Sequence, residues 1–411
     1  MNNTSLWNKN FMLLLACNAF AMFGHNLLMF ALPFYVLYAT GSPAIFGSIV
    51  AAAYLPLLFM SPIGGVFADR INKKRIIVAM QFSTSALIFL FIWASGFMSA
   101  IPIIAILLIG LYSISGLGSP AIDAGVPQIV PESQIIRASG MVGFVGQVPE
   151  FIAPIIAGLL FASVGLTPII VISGICYVSA AVAAALLKIP HVKQAITESI
   201  PKMLKGDIKT TVKYLSKENP RMVQVVMPIL LLMVVLLPMI PIGLPILVIG
   251  HLEMSSSMLG LASGIIMFGS VISSIITSVV GDKLKISDCP KLLMLASLAM
   301  IPIGIVFVFE FSTVFMFIVI VICLMVIMIT SSLYLFRIWG YIQVETPEEI
   351  LGKVLSAVTA LIGFVTPLGF FLYGIMFEGF ASAPWAIIFF AAVVSFGITF
   401  YSARQLRGNK E

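Results

Sequence analysis

The residue whose type and position most clearly indicate a chemical role is Glu150, an acid inside a long apolar stretch. It follows the nearest preceding base, Arg137, by thirteen residues, which is roughly 20 Å along a helix at 1.5 Å per residue. Glu150 is therefore expected near the middle of a membrane-spanning helix. A charged side chain at that depth costs about 2.5–3.5 kcal/mol on insertion scales, so its presence requires a reason.

Glu150 shares one helical stripe with small and polar residues. Gly143, Gln147, Glu150 and Pro154 recur at i, i+4, i+7 and i+11, so they lie on one face of a helix. Lipid would exclude this stripe, which predicts that it faces the protein interior. We expect Glu150 to bind a proton, a cationic substrate or both, with Gln147 beside it. The alternative is a neutral, hydrogen-bonded glutamic acid that fixes helix packing.

A second polar face is predicted in the first apolar run. Asn18, His25 and Asn26 stand at i, i+7 and i+8, and His25 lies near the middle of the run. Histidine changes its charge close to physiological pH, so a proton relay between His25 and Glu150 is one interpretation. A hydrogen-bonded histidine that only packs is the other.

The composition assigns the chain to the membrane proteins. Of 411 residues, 61% are hydrophobic and 9% are charged, and the mean hydropathy is +1.15. Soluble domains are about 25% charged. The four cysteines are scattered without metal-ligand spacing, and no ATP-binding P-loop or hydrolase motif is present. We therefore expect an all-α membrane protein that is not an enzyme and needs no cofactor or metal.

Hydrophobic runs of roughly 20 residues, the length that crosses a bilayer, predict twelve transmembrane helices. Their centres are expected near residues 25, 56, 86, 112, 151, 177, 236, 268, 300, 325, 365 and 392. With both termini in the cytoplasm, every Lys and Arg falls on the cytoplasmic side, as the positive-inside rule requires. The net charge of +6 is then a signal of topology in a multi-pass protein of the plasma or bacterial inner membrane. The lipid bilayer is the expected environment, and no nucleic-acid partner is predicted.

Internal similarity divides the chain into two six-helix pseudo-repeats. The segment 278–283 (SVVGDK) has the acid–base pair of 65–70 (GVFADR), and we call this alignment the first register. The segment 347–353 (PEEILGK) resembles 131–137 (PESQIIR). The offset between these two segments is 216 residues, against 213 residues in the first register, and we call this second alignment the second register. We predict an N-terminal half at 1–187, a cytoplasmic linker with an amphipathic helix at 188–221, and a C-terminal half at 222–411. Such duplication is typical of transporters with a substrate site between the repeats.

The loop between the second and third spans carries a family resemblance. The segment Gly65–Arg75 (GVFADRINKKR) resembles the signature loop of the major facilitator superfamily, G-x-x-x-D-[RK]-x-G-[RK]-[RK]. Asn72 replaces the second glycine, and we expect it to adopt the left-handed backbone that glycine favours there. Together with twelve spans and a repeat, the resemblance implies the major facilitator fold.

The same resemblance implies a cytoplasmic gate. In that family an acid at the inner end of span four pairs with the base four residues after the loop aspartate, which here are Asp123 and Lys73. A static structural ion pair is the alternative. The residues expected to form the gate are Gly65, Asp69, Arg70, Lys73, Arg75 and Asp123.

At a finer level, the stretches 119–140 and 344–369 resemble the drug-efflux branch that includes macrolide exporters. This resemblance implies a secondary active transporter that expels lipophilic or cationic drugs in exchange for protons by alternating access. The expected partners are a small-molecule substrate and protons, and we expect a monomer. The alternatives are an exporter or importer of a specific metabolite, siderophore or lipid, and a membrane sensor that transports nothing.

Overall fold

The computed structural model of the chain describes residues 6–189, 214 and 219–407. Within these ranges the description leaves out some side chains, those of Asp69 and Asp123 among them. The described helices are α1 (Lys9–Thr40), α2 (Pro43–Arg70), α3 (Lys73–Ala94), α4 (Ala100–Asp123), α5 (Ile135–Val164), α6 (Leu166–Leu186), α7 (Pro220–Val235), α8 (Ser256–Val280), α9 (Cys289–Val308), α10 (Thr313–Glu345), α11 (Glu348–Gly379) and α12 (Pro384–Arg407).

The all-helical architecture predicted from the sequence is confirmed. The described residues contain twelve helical spans that are long and apolar enough to cross a membrane, and each predicted centre lies within one of them. The predicted linker 188–221, with its amphipathic helix, lies outside the described part of the chain except for residues 188, 189, 214 and 219–221.

The seventh span is interrupted, as its prolines suggest. The helix α7 ends at Val235, a 3₁₀ turn covers Leu237–Met239, a single helical turn covers Gly243–Pro245, and a π-helix covers Ile246–His251. Proline lacks the amide hydrogen that the helix ladder needs and clashes with the preceding turn. Pro238, Pro241 and Pro245 therefore divide this span into short pieces.

Helix contacts group the chain into two units. The first unit comprises Met1–Thr40, Ala52–Thr197 and Ser256–Gly264. In it, α1 packs on α4, α5 and α6, and α3 packs on α4 and α6. The second unit comprises Gly41–Ala51, Glu198–Ser255 and Ile265–Glu411. In this unit, α9 packs on α10 and α12, and α7 packs on α10, α11 and α12.

Small side chains determine how closely α1 approaches its neighbours. A fully buried cluster in the first unit joins Leu27 and Ala31 of α1 to Ala153 and Ala157 of α5 and to Ile169 of α6. In lipid the hydrophobic effect does not drive helices together, so close packing of small residues has to stabilise the contact. The alanines of α5 provide that fit and fix the rotation of the helix that carries Glu150.

The left-handed conformation predicted for Asn72 is wrong. Asn72 has φ −56° and ψ 117° and is the N-cap of α3, where its side-chain oxygen accepts a hydrogen bond from the amide of Lys74 at 3.0 Å. Asparagine is a preferred N-cap because it satisfies an amide that has no partner within the helix. The short connection from Arg70 to Lys73 therefore uses the side chain of Asn72 and needs no glycine-like backbone.

Candidate functional site

A cluster of one histidine and three tyrosines lies inside the first unit. The Tyr177 hydroxyl is 3.4 Å from Nδ1 of His25. The rings of His25 and Tyr112 meet edge to face, with centroids 6.4 Å apart, and the Tyr112 and Tyr54 centroids are 5.3 Å apart. Four helices, α1, α2, α4 and α6, each contribute one ring to this tyrosine–histidine cluster.

The tyrosine–histidine cluster combines aromatic faces with polar groups. Tyrosine rings attract cations through their negative faces and stack on flat apolar groups. The histidine ring and the hydroxyls can donate or accept hydrogen bonds. Tyr177 is buried, whereas His25, Tyr54 and Tyr112 are half-buried. The arrangement is chemically suited to a flat, lipophilic molecule with a positive charge.

Sequence reasoning identified His25 but missed the tyrosines. Each of the three lies near the middle of its helix: Tyr54 in α2, Tyr112 in α4 and Tyr177 in α6. A hydroxyl at that depth needs a partner because hydrocarbon provides none. A tyrosine in the middle of an apolar run therefore indicates a polar contact inside the protein, as a mid-span acid or amide does.

The two predicted asparagines both donate to backbone carbonyls. Asn18 is buried, and its amide donates to the Val142 carbonyl of α5 at 3.2 Å. Asn26 donates to the Met22 carbonyl one turn earlier in α1, at 2.9 Å. The residues predicted to share one polar face thus contact different partners, because His25 meets α4 and α6 while Asn18 meets α5.

Glu150 is exposed on α5, and Gln147 is half-buried one turn before it. The adjacent Pro149 is buried, and the alanines at 153 and 157 pack against α1. On another side of α5, Pro154 and Gly158 approach the backbone of Gly260 in α8. Glu150 lies between these two packed faces, and its carboxylate makes no hydrogen bond or ion pair with any residue that the structure describes.

Within the described residues, no hydrogen bond joins His25 to Glu150. Within the described residues, the contacts of the His25 ring are with Tyr112 and Tyr177. In this conformation there is therefore no hydrogen bond between the two side chains along which a proton could pass directly. His25 lies among aromatic rings, whereas Glu150 is exposed.

At the predicted gate, the tight backbone contact involves Gly64. A Cβ added to Gly64 would lie 2.5 Å from the carbonyl oxygens of Gly116 and Leu117 in α4, whereas one added to Gly65 would meet nothing within 4 Å. Arg70 and Lys73 both have interaction partners. The side chains of Asp69 and Asp123 lie outside the description, so the pairing of Lys73 with Asp123 stays a prediction.

Two helix crossings are built from paired glycines. In the first unit α5 crosses α8, and a Cβ on Gly158 would lie 2.5 Å from the Ser256 carbonyl and 2.8 Å from the Cα of Gly260. In the second unit α2 crosses α11, and a Cβ on Gly47 would lie 2.7 Å from the Phe370 carbonyl and 2.8 Å from the Cα of Gly374. No side chain fits at either crossing.

The two crossings are related by the sequence repeat. Gly47 corresponds to Gly260 in the first register, and Gly158 corresponds to Gly374 in the second register. The contacted carbonyls follow the same alignments: Pro43 corresponds to Ser256 in the first register, and Pro154 corresponds to Phe370 in the second. The repeat therefore preserves these contacts as well as the order of helices.

The polar contacts at the crossings differ. At the α2–α11 crossing, Oε2 of Glu378 accepts hydrogen bonds from the Ser42 hydroxyl and from the amide of Ala44, the latter at 2.8 Å. At the α5–α8 crossing, the Ser256 hydroxyl donates to the Gly158 carbonyl at 3.3 Å. The residue that corresponds to Glu378 in the second register is Ala162, which has no polar side chain.

The family follows from a model that matches most of the chain. The model described as Major Facilitator Superfamily matches residues 14–369. The chain belongs to the Major Facilitator Superfamily. Solved transporter structures have the same fold: the nucleoside transporter NupG has a TM-score of 0.74 at 15% identity and covers 99% of this chain and 100% of that one. A D-xylose–proton symporter has a TM-score of 0.72 at 13% identity, covering 98% and 99%.

Family membership establishes a multi-pass membrane transporter rather than an enzyme, as the sequence predicted. Among curated proteins, macrolide efflux protein A of Streptococcus pyogenes is 23% identical over 206 residues, which are 50% of this chain and 51% of that protein. The chain thus spans about half the length of the curated relatives that it matches.

Proposed function

We propose that this transporter exports lipophilic or cationic drugs in exchange for protons, by alternating access. The similarity to a macrolide efflux protein favours export and a lipophilic substrate. The tyrosine–histidine cluster favours substrates that are flat, apolar and positively charged. These two observations are independent of each other and point to the same class of compound.

The observation that carries the proposal is the position of Glu150. An acid in a membrane span is costly unless it is paired or functional, and Glu150 makes no ion pair with any described residue. It lies near the middle of α5, away from both ends of the helix. We assign proton exchange to this carboxylate, with Gln147 lining the same site and His25 and Asn26 facing the substrate from α1.

The remaining elements of the proposal concern the frame of the transporter. Two halves, 1–187 and 222–411, joined by the linker 188–221, would alternate around the site, and the internal sequence repeat supports that division. The gate would consist of Gly65, Asp69, Arg70, Lys73, Arg75 and Asp123, and it would stabilise the outward-open state. We propose a monomer in the cell membrane with both termini in the cytoplasm.

Transport of ethidium into proteoliposomes under an imposed pH gradient tests the role of Glu150. We expect Glu150→Gln to lose gradient-driven accumulation by at least tenfold, because glutamine keeps the shape of the side chain but cannot exchange a proton. The matched control is Glu132→Gln, the same change at an exposed position before α5. Gradient-driven transport that is unchanged in Glu150→Gln would contradict the proposal.

The second candidate is a transporter of one specific metabolite, siderophore or lipid. A panel of structurally unrelated dyes separates the two. A drug exporter moves several of them, and a specific transporter moves none, because a site with fixed polar groups rejects ligands that leave those groups unpaired.

A further inference from the structure

A cavity of about 360 Å³ lies within the first unit, between the inner ends of α2, α3 and α4. This volume is within the range of about 300–1,000 Å³ that is typical of small-molecule sites. Its walls are mainly apolar and include Phe67, Ile71, Met80 and Leu117. Among the described residues that line the cavity, Arg75 is the one with a charge.

Arg75 differs from two other bases of the signature loop. Arg70 and Lys73 have interaction partners. The Arg75 side chain is exposed, and it forms no hydrogen bond or ion pair with the part of the chain that the structure describes. An arginine presents five donors in a planar fork that fits a phosphate group. Arg75 places this fork at the edge of an apolar cavity.

The mouth of the cavity also exposes apolar surface. Phe67 is 38% exposed and Ile71 is 40% exposed, and both line the cavity beside Arg75. A polar metabolite would leave these side chains without a suitable partner, whereas a hydrocarbon would leave the arginine unpaired. The ligand that satisfies both is an amphiphile with a negative head group and an apolar chain.

We propose that this cavity binds an anionic phospholipid, with one acyl chain between α2, α3 and α4 and the phosphate on Arg75. The loop that carries Arg75 is basic, and basic segments at the inner boundary of a membrane attract anionic lipids. The bound lipid would connect α2 to α3 across the short loop that ends at Asn72. This site is separate from Glu150 and does not depend on the substrate of the transporter.

The test is a titration of the full-length protein in mild detergent with dioleoyl phosphatidylglycerol and, separately, dioleoyl phosphatidylcholine, followed by native mass spectrometry. We expect one phosphatidylglycerol to bind more tightly than phosphatidylcholine. Arg75→Gln should weaken that binding about fivefold, the effect of one base near an anionic surface. Ala79→Trp, which fills the cavity from an exposed position on its wall, should weaken it at least as much while leaving every charge in place.

Two controls match these variants. Arg137→Gln removes another exposed arginine of the first unit, and Ala86→Trp changes another exposed alanine of α3; neither residue lines the cavity. We expect both to bind phosphatidylglycerol as the wild type does. Equal losses in Arg137→Gln and Arg75→Gln, unchanged binding in Ala79→Trp, or equal binding of the two lipids would each overturn the proposal.

Discussion

The repeat relates the two helix crossings of this transporter to each other, whereas the chemical groups of the two repeats differ. Gly47 and Gly260 occupy equivalent positions, and so do Gly158 and Gly374. By contrast, Thr366 is aligned with Glu150 in the second register, and Met267 is aligned with Tyr54 in the first register. The shared glycines are required by the close approach of the helices, whereas the repeat keeps neither the acid nor the tyrosine.

This difference separates residues that the helix crossings require from residues to which we assign a role in the proposed function. The Thr366 hydroxyl donates a hydrogen bond to the Ile362 carbonyl of its own helix at 2.7 Å. This bond satisfies the hydroxyl within the membrane. Glu150 has no such partner among the described residues. The repeat therefore does not keep the carboxylate, and the role proposed for Glu150 would belong to the first repeat alone.

The largest effect is expected from Gly158→Val and Gly47→Val. Each valine would place its Cβ against the backbone of the opposite helix, and overpacking costs about 1–3 kcal/mol. Because the two crossings have the same geometry, we expect similar losses of thermal stability and of dye transport. Gly397→Val is the control, since a Cβ there meets nothing within 4 Å. A severe effect at one crossing with none at the other would break the equivalence of the repeats.

An intermediate effect is expected from Tyr54→Met, which gives the first repeat the residue of the second. Loss of a cation–π partner should weaken ethidium binding by about 1 kcal/mol, or roughly fivefold. Binding of a neutral lipophilic dye should change less, and Met267→Leu in the second repeat should change neither. Fluorescence titration of the purified protein measures both dyes. Equal losses for the cationic and the neutral dye would assign Tyr54 to packing alone.

The smallest effect concerns the polar contacts at the crossings. Glu378→Ala removes the acceptor of the Ala44 amide, and Ser256→Ala removes one longer hydrogen bond. Caps of helix amides contribute measurably to stability, so we expect Glu378→Ala to lower the melting temperature by a few degrees and Ser256→Ala by less. Scanning fluorimetry provides the measurement. The reverse order would show that the carboxylate contributes less than its geometry suggests.

The helices were predictable from the sequence because the bilayer sets a minimum length of apolar chain. Glu150 was predictable as a mid-span residue, since an isolated acid in such a run is conspicuous. The backbone of Asn72 was not predictable from the family pattern, because a side chain that caps α3 replaces the conformation that glycine would supply. Local sequence alone does not distinguish these two solutions.

The candidate site was predicted only in part. Tyr54, Tyr112 and Tyr177 come from three helices and meet His25 through tertiary packing, which no local pattern encodes. The crossing glycines are four among 32 glycines in the chain, so composition does not single them out. The two registers of the repeat distinguish these four glycines, because each register aligns one of them with another.

The central claim is that Glu150 releases a proton when substrate binds. Ethidium added to the detergent-solubilised protein in a weakly buffered solution with a pH indicator tests it directly. The account predicts that the wild type and Glu132→Gln release protons on dye binding, whereas Glu150→Gln binds the dye and releases none. Proton release from Glu150→Gln equal to that of the wild type would contradict the account.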